Sequence, residues 1–64
     1  MIVNGVARDI RAPQNVVELI SILGIEPRGI AVAINGELAS RSKWDVTVVQ
    51  PSDVVEIVTA VAGG

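Results

Sequence analysis

The side chains available for chemistry are few. His, Cys and Tyr are absent, and the charged residues are five Lys and Arg and seven Asp and Glu. Without imidazole or thiol there is no Ser-His or Cys-His nucleophile, no imidazole general base and no Cys/His metal site. The seven carboxylates are scattered along the chain, so no spacing suggests a paired-carboxylate site. An independent enzyme is not expected. The distinctive chemical feature is the ending Ala62-Gly63-Gly64. An α-carboxylate on Gly64 has an ordinary pKa near ~3.5 and is ionised at neutral pH. The two glycines lack a Cβ, so backbone there can enter a channel too narrow for other residues.

With 64 residues, the expectation is one domain over 1–64 with a flexible carboxyl-terminal tail at 62–64. A chain this short buries a small share of its surface and has no disulfide to help it. Half of its residues are apolar, and Trp44 is its one aromatic, so the core must be aliphatic. Val and Ile predominate, and their branched side chains favour strands. The net charge is −2 and no basic run occurs, which argues against nucleic acid as a partner. No apolar run approaches the roughly 20 residues that span a bilayer. No charged-then-apolar leader opens the chain. The expected setting is therefore cytoplasmic, with no membrane partner.

The elements that must position the tail can be placed from local pattern. A strand over 1–4 reaches Asn4-Gly5, a type I′ hairpin signal, and a second strand is expected over 6–11 before Pro13. Asn15 reads as a helix N-cap, with Glu18 completing a capping box. Val16, Leu19, Ile20 and Leu23 then form one helical face, and Gly24 stops the helix. A strand is expected over 30–34, with Asn35-Gly36 turning it into a return strand over 37–39. Residues 40–45 form a polar turn carrying Trp44, and 46–49 a further apolar segment. After a turn at Pro51-Ser52-Asp53, the longest strand runs over 54–61. The most economical layout places this last strand beside the first, with one helix across a mixed sheet of four to five strands. That is an α+β, ubiquitin-like β-grasp.

Two stretches carry a family resemblance. Val32-Ala33-Ile34-Asn35-Gly36-Glu37 followed by Trp44, and Asp53-Val54-Val55-Glu56-Ile57-Val58 running into Ala62-Gly63-Gly64, resemble the ThiS family of thiamine-biosynthesis sulfur carriers. The resemblance covers nearly the whole chain. Members commonly have an Asp-Gly-Asp type turn where this chain has Pro51-Ser52-Asp53, which implies a different turn type here. The resemblance implies a protein co-substrate with no bound cofactor. ATP is used by an E1-like, ThiF-type adenylating enzyme that converts the Gly64 carboxylate to an acyl-adenylate. A sulfur donor such as a cysteine desulfurase or rhodanese then yields a thiocarboxylate, and a ThiG-type thiazole synthase takes the sulfur. The alternatives are the small subunit of molybdopterin synthase or another sulfur carrier, a ubiquitin-like covalent modifier and a non-catalytic β-grasp binding module.

Gly64 is thus the expected modification site, with Gly63 and Ala62 presenting it. In the last strand Val55 and Ile57 are expected to face the helix, leaving Glu56, Val58 and Ala60 as the candidate docking positions. Trp44 is expected to cap one end of the core. The basic residues read as solvated surface, and Asn35 and Gly36 as turn formers with no site role. Deleting Gly63 and Gly64 is expected to abolish activation while leaving the melting temperature nearly unchanged. A large fall in melting temperature would show that these residues stabilise the fold.

Overall fold

Two Asn-Gly turns and one short helix set the plan of the molecule. The computed structural model describes residues 1–59, so the expected roles of Ala60, Ala62, Gly63 and Gly64 lie outside the described residues. Both Asn-Gly pairs adopt positive φ throughout, 51° and 78° at Asn4 and Gly5, and 51° and 82° at Asn35 and Gly36. Those values belong to type I′ turns, whose twist matches that of the flanking strands. They join β1 (Ile2–Val3) to β2 (Val6–Ala7) and β4 (Ile30–Ile34) to β5 (Glu37–Leu38).

The last strand, β7 (Val54–Thr59), lies between these hairpins. The sheet order is β2-β1-β7-β4-β5. β7 runs parallel to β1 and antiparallel to β4, so the sheet is mixed and the first and last strands are neighbours, as expected. With one helix packed against it, this is a ubiquitin-like β-grasp.

The helix α1 (Val16–Leu23) begins where Asn15 and Glu18 satisfy each other's backbone. Asn15 Oδ1 accepts the Glu18 N–H at 2.7 Å, and Glu18 Oε1 accepts the Asn15 N–H at 2.9 Å. It ends in a Schellman arrangement, with Gly24 at φ 69° and the Ile25 N–H donating to the Ile20 carbonyl. Val16, Leu19 and Ile20 are buried against Val3, Val32, Val49, Val55 and Ile57, and Leu23 packs on this cluster. Eight residues are too few to hold a helix in water without such packing.

Two local expectations are corrected. The return strand expected over 6–11 stops at Ala7. The Ile10 N–H donates to the Arg8 carbonyl, a two-residue turn that takes the chain off the sheet and lets Ile10 pack against the core instead. The apolar segment 46–49 acquires a partner that local pattern did not suggest. Within it, β6 (Val48–Val49) pairs antiparallel with β3 (Gln14–Asn15), forming a separate two-stranded ribbon. This ribbon ties the start of α1 to the segment that leads into β7, and Val49 is fully buried.

The turn at 40–45 contains a 3₁₀ helix, Arg41–Lys43. It delivers Trp44 into the core at 5% exposure. The indole N–H donates to the Ala39 carbonyl at 3.1 Å, and the Arg41 guanidinium covers the ring at 4.3 Å from its centroid. Trp44 is therefore a core residue, as expected.

The capping box makes one measurable contribution. Asn15→Ala should lower stability by about 1 kcal/mol, which for a domain of this size is roughly a 4–8 °C fall in melting temperature. Thermal unfolding followed by far-UV circular dichroism measures it.

Candidate functional site: the open sheet face and the strand that leads to the terminus

A single helix covers only one face of the sheet. Strand alternation sends Val3, Val32, Val55 and Ile57 toward α1, so their neighbours must point the other way. Register identifies them. Ile2 stands opposite Ala7 and Val54, Ala31 opposite Val58, and Ala33 opposite both Glu56 and Leu38. All these residues are apolar except Glu56. Leu38 is 71% exposed and Val58 58%, with Ile2 and Val54 also exposed. A contiguous apolar surface of this kind, unlike scattered exposed residues, makes this face the candidate for partner docking.

The relief of this face follows from residue size. Ala31 and Ala33 are small and form a floor, while Leu38 and Val58 stand above it on either side. The result is a shallow depression of about 180 Å³ that also touches Glu56 and Gly36. Of the three expected docking positions, the structure places Val58 and Glu56 here on the exposed side of β7. Leu38, Ala31 and Ala33 join them. These were missed because their membership depends on which strand lies next to β7. A larger depression, about 720 Å³, sits on the helix side between Gly24 and Trp44, away from this face.

Three further residues hold β7 in place: Asn35 and Asp53, which local pattern assigns only to turns, and Asn4, which it places at the end of the first strand and the start of a turn. Asn35 Oδ1 accepts the Val54 N–H at 2.9 Å, and its Nδ2 donates to Asp53 Oδ1 at 3.0 Å. The other oxygen of Asp53 accepts the Gln50 N–H at 2.8 Å. The Asp53 N–H in turn donates to the Gln50 carbonyl, closing the turn through Pro51 and Ser52. Ser52 does not take a positive φ, so this is a type I geometry and needs no glycine. On the opposite edge of β7, Asn4 Oδ1 accepts the Ile57 N–H at 2.7 Å and Nδ2 donates to the Ile57 carbonyl at 3.0 Å.

The electrostatics of the face are sparse. Glu56 is its one charge. Among the described residues two ion pairs form, Arg11 with Asp9 and Arg28 with Glu26; both are highly exposed and lie elsewhere, where such pairs contribute little. Among the described residues no group of three or more carboxylates stands close enough to hold a metal ion, and no helix is long and apolar enough to cross a membrane.

Comparison with known proteins gives this geometry a context. A family model described as the ThiS family matches residues 1–64. The chain belongs to the ThiS family. It is similar to the crystal structure of a thiamine biosynthesis protein (ThiS) from Geobacter metallireducens, with 35% identity and a TM-score of 0.82. That match covers 98% of this chain and 96% of the other. An NMR solution structure of a thiamine biosynthesis protein from the same organism is also similar, at 35% identity and TM-score 0.74, covering 98% and 85% of the two chains. A curated relative named thiazole synthase, from Paramagnetospirillum magneticum, is 33% identical over 64 residues. Its match takes in 100% of this chain but 20% of that protein, so the chain spans about a fifth of the relative's length.

The hydrogen bonds received by Asp53 yield a pH dependence. The Gln50 N–H, and after it the Asn35 amide, hold its carboxyl below the ordinary aspartate value. The folded state therefore favours the ionised form. The stability gained is complete above the unfolded pKa of about 3.9 and is lost as pH falls through the lowered folded value. Asp53→Asn should flatten that part of the stability profile, so wild type and variant should converge in strong acid. Urea unfolding measured at several pH values between about 2 and 6 tests this, spanning that pKa; parallel profiles would remove Asp53 from the account.

Proposed function

We propose that this chain is a sulfur carrier of thiamine biosynthesis, acting as a protein co-substrate whose reacting atom is the carboxyl carbon of Gly64. The observation that carries this reading is the match to the ThiS family over all 64 residues, diglycine included. The chemistry suits a chain without catalytic side chains. An ionised carboxylate is a poor electrophile. Attack of its oxygen on the α-phosphorus of ATP expels pyrophosphate and makes a mixed anhydride with AMP. The terminal sulfur of a persulfide then attacks the carbonyl carbon and displaces AMP. Cleavage of the remaining S–S bond by a thiol leaves the thiocarboxylate.

Each of these steps belongs to a partner. The activator is an E1-like, ThiF-type adenylating enzyme, the sulfur comes from a cysteine desulfurase or rhodanese, and the acceptor is a ThiG-type thiazole synthase. The name of the relative from Paramagnetospirillum magneticum supports the last of these, since a sequence like this one makes up 20% of a protein called thiazole synthase. The apolar sheet face supplies the docking surface. Fixing a residue's backbone in a single conformation costs roughly 1–2 kcal/mol, so the affinity for a partner that holds the terminus is assigned to the folded body. Leu38 and Val58, the most exposed apolar residues of that face, are the contacts that gain most from losing water.

Intact mass measurement tests the reading. After incubation with ATP, a ThiF-type enzyme and a sulfur donor, the chain should gain the mass difference between sulfur and oxygen, confined to its last residue. A ladder of conjugates, or no change with Gly64 intact, would sink the proposal. Val58→Lys should weaken binding to the adenylating enzyme by about tenfold or more, as loss of an apolar anchor does. Because Val58 is exposed, its stability should stay within about 0.5 kcal/mol of wild type.

A further inference from the structure

The two edges of β7 are held by different means. On one edge, pairing with β4 continues from Ile34 opposite Val55 to Ile30 opposite Thr59. On the other, pairing with β1 ends at Val3 opposite Val55, because Asn4 and Gly5 turn the chain away into β2. The Asn4 side chain then stands where the next strand residue would be. Its amide offers one acceptor and one donor, the same pair that a peptide group offers, and it takes both the N–H and the C=O of Ile57. The ladder is extended by one step without a strand. Among the described residues, none bonds to β7 on that edge beyond Ile57.

We propose that Asn4 is a positioning residue for the carboxyl-terminal segment. By fixing Ile57 from the edge that β1 no longer reaches, it holds the end of β7 that carries Val58. It thereby sets the share of molecules whose docking face is held in the arrangement that an ATP-dependent carboxylate-adenylating enzyme binds. This rests on the carrier reading above.

The residue type is demanded twice. A φ of 51° restricts position 4 to Gly, Asn or Asp without strain. Of these, only Asn can both accept from the Ile57 N–H and donate to its carbonyl; ionised Asp only accepts, and Gly does neither. The bonds link residues 53 apart in sequence and are partly buried, where hydrogen bonds compete less with water. Ile57 is itself 8% exposed and packs under α1. Its side chain is held by the core, and Asn4 holds its peptide groups. Val58, the next residue, stands on the docking face, so the same clamp governs how that side chain is presented. If only a fraction of molecules holds the competent arrangement, apparent affinity falls by that fraction. The effect then appears in KM and leaves kcat at saturation alone.

Asn4→Gly isolates the effect, because glycine keeps the turn and loses the amide. Asn4→Asp keeps the turn and sets a carboxylate against the Ile57 carbonyl. Asn35→Gly is the control. It too removes two side-chain bonds at a type I′ turn, those to Val54 and Asp53, but at the start of β7. Amide exchange at Ile57 is followed by NMR on the free chain. Adenylation is followed as pyrophosphate release by a ThiF-type enzyme, with the chain as the varied substrate, at a temperature where every variant is folded. For Asn4→Gly we expect Ile57 exchange to quicken about tenfold and KM to rise about tenfold, the equivalent of about 1.4 kcal/mol, with kcat within about twofold. Asn35→Gly should lose comparable stability and keep KM within about twofold. If Asn4→Gly does not fold, Asn4→Asp is judged by the same criteria. An unchanged KM in the folded variant, or an equal rise in Asn35→Gly, overturns the proposal and leaves the carrier reading intact. Failure of wild type itself to be adenylated overturns both.

Discussion

β7 is the strand on which the rest of the structure depends, because it is held on both edges and buried on one face. Its ladder with β4 is the longest among the described residues, and its parallel pairing with β1 joins the two ends of the described chain. Val55 and Ile57 carry it into the core beneath α1. Without this strand the two hairpins would share no sheet, and the eight-residue helix would have half a surface to cover. An isolated two-stranded hairpin is at best marginally stable in water, so neither hairpin accounts for the fold alone. The contact that completes the core is thus made by the strand that leads directly to the diglycine.

The same constraint explains why one face is left open. Among the described residues the helix is the only element that covers the sheet broadly, and it covers one side. The 3₁₀ turn with Trp44 and the β3–β6 ribbon add to the same side, near the ends of the helix. The outer face keeps its apolar character because alternating positions on β7, β4, β1 and β5 are Val, Ala, Ile and Leu where solvent-facing strands usually carry polar residues. Exposing those side chains adds nothing to the stability of a domain this small, which is why the proposed function uses this face for docking. Glu56, the one charge among them, sits in the middle of the face and can contribute to selecting a partner.

Much of this was legible along the sequence. The capping box at Asn15 and Glu18, the helical face of Val16, Leu19 and Ile20, and both Asn-Gly turns depend on residues within a few positions of one another. Their geometry follows from local sterics and hydrogen bonding. The alternation of Val55 and Ile57 with Glu56 and Val58 was equally plain, since strand period fixes relative facing once one face is buried. The return strand failed at Ala7 because nothing local to Arg8 or Asp9 announces that Ile10 is needed in the core. The β3–β6 ribbon escaped notice for a related reason. Two-residue strands carry no periodicity, and Gln14 meets Val49 across 35 positions of chain, a pairing that only the assembled fold brings about.

The asparagines show where local reading ends. Residue type at positions 4 and 35 determined the turns, because few side chains accept a positive φ, and that is a property of the residue itself. The reach of those side chains to Ile57 and Val54 was decided only by the tertiary structure, since their partners lie 53 and 19 positions away. The same division holds for the docking face. Chain order alone determined that Val58 points away from Val55 and Ile57. Strand order, which emerges only when the sheet is assembled, decided that Ala31, Ala33 and Leu38 stand beside it. Short-range sterics act on neighbours in the chain, whereas hydrogen-bond pairing and burial act on neighbours in space.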